Sequence, residues 1–282
     1  MMNSILIICE GKHDVAFLKV ILEKRLKFSN YQVSVKNIEK PVGDYLIKKI
    51  RDFEYDESRL RDGPKLPIIL KKKKSKNVIY AILYSIDGLN SQGLTRAKEL
   101  IKDYLDLITL GRTVPGFSKS KMSLGFIFDS DSHGLEQRCE WVKNQFSDEH
   151  LDLSNLNHNT IIDHDVFSGI GVYSLAGEDG FGNLESILLP IYSRGQDDQA
   201  DYIKKFLTDN NFERLIEGKK HDRKTNSDLD KSLIAILGQF EFSGFANAEL
   251  IFKSKRIGGL LDGSELVNGL EGFLNKLKKC LD

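Results

Sequence analysis

Two uninterrupted apolar runs end in carboxylates: Ile5–Cys9 stops at Glu10, and Leu124–Phe128 stops at Asp129-Ser130-Asp131. Such runs lack the polar alternation of a half-solvated strand, so they predict strands buried on both faces, as in a parallel sheet covered by helices. The break at Glu10-Gly11-Lys12 is followed by Asp14, an acid suited to a helix start. Val15, Leu18, Leu22 and Leu26 then form a single stripe, which predicts a helix over Val15–Leu26. The alternation of Tyr31, Val33 and Val35 predicts a second strand to Ile38, and Gly43–Phe53 reads as a helix. A βαβα opening implies a parallel sheet with right-handed crossovers, that is, an α/β fold of Rossmann type.

The pattern degrades from Glu54 to about Asn77, where Pro64, Pro67 and the run Lys71–Lys74 predict an insertion or a solvated basic loop. Val78–Ile86 fits a strand or a buried helix, Leu94–Leu110 a helix closed by Gly111, and Thr113–Lys121 a loop, so the insertion is placed at about 54–121. Beyond Asp131 come an amphipathic helix over Leu135–Phe146, a strand over Gly171–Leu175, a glycine-rich acidic turn over Gly177–Asn183, and a helix from Leu184. After Ser193 the strand signal fades, and Gln199–Leu215, Asp228–Phe240 and Ser264–Leu281 read as helices. The expected organisation is an α/β domain over 1–192 and a mainly helical region over 193–282 packed on it.

Composition narrows the function classes. Lysine plus arginine equals aspartate plus glutamate, at 41 each, so any contact with nucleic acid rests on a local patch or a bound cation rather than on net charge. Cys9, Cys139 and Cys280 form no CxxC pair, which argues against structural zinc or a disulfide framework and favours a reducing, cytoplasmic setting. The first residues lack the features of a secretory signal, and no apolar stretch is long enough to span a bilayer.

If the two acid-ended strands lie side by side and parallel, Glu10, Asp129 and Asp131 meet at the carboxyl edge of the sheet, where open α/β sheets bind ligands. Asp14, four residues past Glu10, can face the same pocket. Carboxylates gathered in this way repel one another until protonated or neutralised by a cation. Oxygen donors alone favour Mg2+ or Mn2+ over zinc, and two such ions can clamp the attacking and leaving oxygens of a phosphodiester.

The stretch Ile5-Leu6-Ile7-Ile8-Cys9-Glu10-Gly11-Lys12-His13-Asp14 resembles the first motif of Toprim domains, and Phe126-Ile127-Phe128-Asp129-Ser130-Asp131 resembles their second, the DxD. The domain occurs in topoisomerases, primases, RecR-like repair proteins and the overcoming-lysogenisation-defect (OLD) nucleases. The resemblance covers roughly residues 1–192 and is strongest to OLD-type and small stand-alone Toprim-like proteins. It implies that Glu10, Asp129 and Asp131 are metal ligands and catalytic acids. It further implies that Asp14 and Glu185, in Gly182-Asn183-Leu184-Glu185, join the metal set. Lys231, in Asp230-Lys231, matches the OLD-type downstream lysine, which stabilises charge on the scissile phosphate. DNA or RNA is then the expected partner. OLD nucleases carry an ATPase domain, but this sequence has no GxxxxGK[ST], so an ATPase is expected only as a separate partner.

Two other functions remain open on the sequence. One is a Toprim-like module without catalysis that binds nucleic acid or a partner ATPase. The other is a haloacid-dehalogenase-type phosphatase, whose DxD normally follows the first strand. Asp87, after Val78–Ile86, reads as a turn residue rather than a site acid, His133 as a polar turn residue, and Trp141 as core.

Overall fold

The computed structural model describes residues 2–30, 67–74, 77–86, 88–89, 91–113, 121–148, 150–209, 226–244, 246–261 and 264–282. The strand read over Tyr31–Ile38, the helix over Gly43–Phe53, Asp87 and the end of the helix read over Gln199–Leu215 fall outside these residues.

Strand β1 (Met2–Cys9) leads into helix α1 (Lys12–Lys24) and the short β2 (Ser29–Asn30). Then come β3 (Ile68–Lys74), β4 (Asn77–Ser85), α2 (Ser91–Thr113), β5 (Lys121–Asp129), α3 (Gly134–Phe146), β6 (Ile161–Ile162) and β7 (Gly169–Leu175). The remainder is helical: α4 (Leu184–Ser193), α5 (Asp197–Asp209), α6 (Asn226–Gln239), α7 (Asn247–Lys253), α8 (Lys255–Leu260) and α9 (Glu265–Lys279).

Among the described residues the strands form one sheet in the order β2-β3-β4-β1-β5-β7-β6. Its centre, β4-β1-β5-β7, is parallel, and the flanking β3, β2 and β6 run antiparallel to their neighbours. After β1 the chain crosses to β4 on one side, then returns to place β5 on the other. The direction of winding therefore reverses between β1 and β5, which makes their carboxyl ends the switch point of the sheet.

Both faces of the sheet are covered, as continuous apolar runs require. On β1, Ile5, Ile7 and Cys9 face a core shared with α1, α4 and the C-terminal helices, whereas Leu6 and Ile8 face the core beneath α2 and α3. This alternation follows from the two-residue period of a strand. Phe126, Phe128, Phe146 and Trp141 pack together on the α2–α3 side, with ring centroids of Phe126 and Phe146 4.8 Å apart.

The described helices after Ser193 close the opposite face together with α1. Phe273 of α9 stands 5.4 Å from Tyr173 of β7 between ring centroids, and the Asn3 side chain donates to the Leu281 carbonyl at 2.9 Å. The Ser123 hydroxyl donates to Leu277 at 3.1 Å. The C-terminal helices are thus one wall of the sheet's core.

The segment expected as an insertion differs from that expectation. Its described part, β3, β4 and α2, belongs to the sheet and its cover, and β4 pairs with β1 along its whole length, from Met2 with Val78 to Cys9 with Ser85. The lysine run, expected as a solvated loop, is the end of β3. Lysine stems cover apolar neighbours while their ammonium groups reach polar partners. Lys72 illustrates this by lying 5.9 Å from the Phe28 ring centroid and donating to the Leu26 carbonyl at 2.6 Å.

Candidate active site

The register of β1 and β5, with Cys9 opposite Ile127, brings Glu10 and Asp129 out of the same edge of the sheet on adjacent parallel strands. The backbone amide of Leu184, at the start of α4, donates to Asp129 Oδ1 at 2.9 Å. This hydrogen bond anchors α4, and with it the buried Glu185 at its second position, to the end of β5. Asp14 sits in the first turn of α1 and accepts from the Gly11 amide at 2.7 Å, so the same bond caps the helix and fixes the carboxylate.

Asp131 adopts a left-handed conformation, with φ of 50°. Its backbone forms a bridge with Gly182, whose amide donates to the Asp131 carbonyl at 2.8 Å. Gly182 itself has φ of 101°, and a Cβ there would collide with the Ser186 hydroxyl. The glycine-rich turn is thereby tied to the DxD.

The charges at this edge are strongly coupled. Burial, then the neighbouring Asp131, pushes the Glu10 carboxyl up to about 7, against the opposing pull of Arg138, Lys231 and a hydrogen bond with the Asp129 backbone. Burial likewise pushes Asp14 up to about 8. The Gly11 hydrogen bond opposes this shift, Glu10 and Glu185 add to it, and Lys231 lowers it. Asp129 lies well above the carboxylate range through burial and repulsion from Asp14, Glu10, Glu185 and Asp131. The structure therefore gathers all five sequence-derived acids within electrostatic reach of one another. Lys231 of α6, distant in the chain, comes close enough to act on both Glu10 and Asp14.

Arg138 carries no sequence signal and is the site's main addition. It lies on α3, two turns past Asp131, buried, and its Nη2 donates to Asp131 Oδ2 at 2.7 Å. Its Nε has no hydrogen-bond partner, and its guanidinium carbon lies 5.3 Å from the Trp141 ring centroid. Trp141, expected as core, is thus also a neighbour of the site's cation.

Whether these residues suit a divalent ion turns on donor chemistry and spacing. The donors are oxygens alone, and the buried Glu10 Oε2 has no hydrogen-bond partner. A buried carboxylate oxygen left unpaired beside four like charges is the electrostatic setting a hard cation relieves. Against this, among the described residues no three His, Cys, Asp or Glu side chains converge tightly enough to form a ready coordination sphere. Each acid is turned toward a local partner instead: Asp14 to Gly11, Asp129 to Leu184, Asp131 to Arg138, and Glu185 toward His13 at 3.6 Å. The donor chemistry thus fits a hard divalent ion, while the side chains as they stand do not form its coordination sphere.

The raised carboxyls have a thermodynamic consequence. Their folded-state values, about 7 for Glu10 and about 8 for Asp14, exceed the ordinary 4.5 and 3.8, so the native protein holds protons that the unfolded chain has released. Their contribution to stability is full below the unfolded values and is lost as pH rises through the folded ones. In chelator, the thermal midpoint is expected to fall between about pH 5 and pH 8, and Mg2+ or Mn2+ is expected to reverse much of that fall near pH 8. A midpoint that stays flat or rises over this interval, or that ignores the cation, would contradict the coupling.

No family model and no curated protein matches the chain. Fold and site together describe an α/β protein with a cluster of acids at the switch point of a mostly parallel sheet. A solved structure is similar to it: the crystal structure of hypothetical protein PH0156 from Pyrococcus horikoshii OT3, with a TM-score of 0.58 and 19% identity over 100% of both chains. At that identity the likeness shows a shared α/β fold. Among the described residues, no helix is long and apolar enough to cross a membrane.

Proposed function

We propose that this chain is a Toprim-like, Mg2+- or Mn2+-dependent phosphodiester-processing protein, acting as a nuclease on DNA or RNA. The observation that carries the reading is the meeting of Glu10, Asp14, Asp129, Asp131 and Glu185 at the carboxyl ends of β1 and β5, where burial and mutual repulsion raise the carboxyls of Glu10, Asp14 and Asp129.

In this reading Glu10, Asp129 and Asp131 hold one cation, and Asp14 and Glu185 complete the site for a second. A bound cation supplies Lewis-acid polarisation of a phosphoryl oxygen and neutralises charge that develops there. Glu10 serves as a ligand or carries a proton. Lys231 offsets negative charge on the phosphate, consistent with its pull on Glu10 and Asp14. Arg138 holds Asp131 in place through a charge-assisted bond.

Linear and circular DNA and single-stranded RNA, incubated with Mg2+ or Mn2+, are expected to be cut, with cutting lost in chelator. Glu10→Gln is expected to lower the rate on the order of a hundredfold or more. Cleavage that persists in chelator or in Glu10→Gln would sink the reading.

That no ready three-ligand group exists among the described residues favours a second reading, a Toprim-like module that binds nucleic acid or a separate ATPase without cutting. It predicts retained binding and blank cleavage assays with the wild-type chain. The phosphatase reading draws no such support: the DxD follows β5, and Asp129 is committed to the Leu184 amide. The free cysteines fit a reducing cytoplasm.

A further inference from the structure

Phe181 is half exposed, at 50%, on the glycine-rich turn that is bound to the DxD. Its position is defined by the backbone on both sides. The Phe181 amide donates to Asp179 Oδ1 at 3.0 Å, and its carbonyl accepts from the Gly177 amide at 2.7 Å. The next residue, Gly182, makes the backbone bridge to Asp131. The ring rests against the first residue of α3, Gly134, where a Cβ would lie 2.9 Å from Phe181 Cε1 and where φ is 79°. A side chain at Gly134 would displace the ring, so the contact is specific to this glycine.

The half-exposed ring is thus seated on Gly134, three residues past Asp131, and Phe181 is next in the chain to Gly182, which bridges to Asp131, and four residues before Glu185. Backbone hydrogen bonds on both sides of the residue hold it in place, so less conformational freedom is lost when a flat partner stacks on the ring. Bases of single-stranded nucleic acid stack on such rings whatever their sequence, and the phosphates of that strand are what an acidic cation site would engage.

We propose that Phe181 is a substrate-positioning residue that stacks on an unpaired nucleobase beside the acidic site, making single-stranded nucleic acid the preferred substrate class. This rests on the reading that the site processes nucleic acid. A base held in a duplex is stacked on its own neighbours and cannot use the ring without leaving the helix.

The test uses the full chain and single strands of DNA and of RNA carrying 2-aminopurine, whose fluorescence falls when it stacks on an aromatic ring. Wild type is expected to bind with quenching. Phe181→Ala is expected to weaken binding on the order of tenfold and to remove the quenching. Phe181→Tyr should restore both. Phe181→Leu, which keeps apolar contact with Gly134 but has no ring, should restore neither, and this separates stacking from loop packing. Whichever of DNA and RNA binds more tightly identifies the natural strand. Quenching absent in wild type, quenching and affinity kept in Phe181→Leu, or equal affinity for a fully paired duplex would each overturn the proposal.

Wild-type turnover of methyl p-nitrophenyl phosphate with Mg2+, a diester without a nucleobase, reports on the chemistry alone. Turnover without quenching overturns the stack and leaves the cleavage reading standing. Quenching that depends on the ring, without turnover, supports the stack and counts against cleavage.

Discussion

Asp129→Asn is expected to abolish cation-dependent cleavage while raising the thermal stability of the cation-free protein. The two effects have one cause. Asp129 is half-buried at the end of β5, and desolvation together with four other carboxylates raises its proton affinity. The amide of asparagine keeps the size of the side chain, and its oxygen can still accept from the Leu184 amide that anchors α4. The charge that repels Glu10, Asp14, Asp131 and Glu185 is gone. Relief of like-charge repulsion should raise the thermal midpoint in chelator, most clearly at the alkaline end where the neighbouring carboxylates are ionised. The rate of cleavage should fall on the order of 10²–10³-fold, the scale for losing a central charge-stabilising group. Stabilisation by Mg2+ or Mn2+ should shrink with it. Scanning calorimetry in chelator and in Mg2+, beside a cleavage assay, checks all three. A variant that is destabilised in chelator, or that cuts at the wild-type rate, would show that Asp129 is a structural residue. A gain in stability at the expense of activity is the usual signature of strain kept for function.

Phe273→Ala is expected to destabilise the whole protein, not the C-terminal helices alone. Phe273 is fully buried between α9 and β7, with its ring 5.4 Å from that of Tyr173. A Cβ at Gly171 would approach the ring to 2.7 Å, so the absence of a side chain there makes room for it. Emptying this space costs about 3–5 kcal/mol, which lowers the midpoint by roughly 6–20 °C. The loss should appear as one transition at a lower temperature. Two transitions, of which one moves and one does not, would mean that residues 193–282 fold independently of the sheet. The site should suffer as well, because β7 ends at Leu175, whose carbonyl accepts from the Ser130 amide at 2.9 Å, in the middle of the DxD.

Several features of this protein are legible from local chemistry. The strands at Ile5–Cys9, Leu124–Phe128 and Gly171–Leu175 are visible because a strand covered on both faces must be apolar throughout. Glu10, Asp129 and Asp131 are visible because polar residues that end such strands stand out against them. The helices at Leu135–Phe146 and Ser264–Leu281 show in their apolar stripes, within one to two residues of their observed ends.

Other features left no local trace. Val78–Ser85 reads equally as strand or helix, and nothing in it says that it lies beside β1. Strand order is a property of crossovers, not of strands. Lys71–Lys74 reads as a solvated loop because a run of charge is usually hydrated, yet it ends a strand next to the centre of the sheet, where Lys72 Nζ finds the Leu26 carbonyl. Arg138 is one charged residue on an amphipathic helix until that helix is placed, when it becomes the buried partner of Asp131.

The order of apolar and acidic residues along the chain was thus enough to determine an α/β fold and to nominate Glu10, Asp14, Asp129 and Asp131, whereas Glu185 and Lys231 stood out only through the resemblance to OLD-type Toprim domains. Only the tertiary structure decided that they share one field, because residues up to 221 positions apart, from Glu10 to Lys231, meet through winding that no local pattern encodes. It also decided the raised proton affinity of Glu10, Asp14 and Asp129, since burial and repulsion depend on the surroundings of a group and not on its neighbours in sequence.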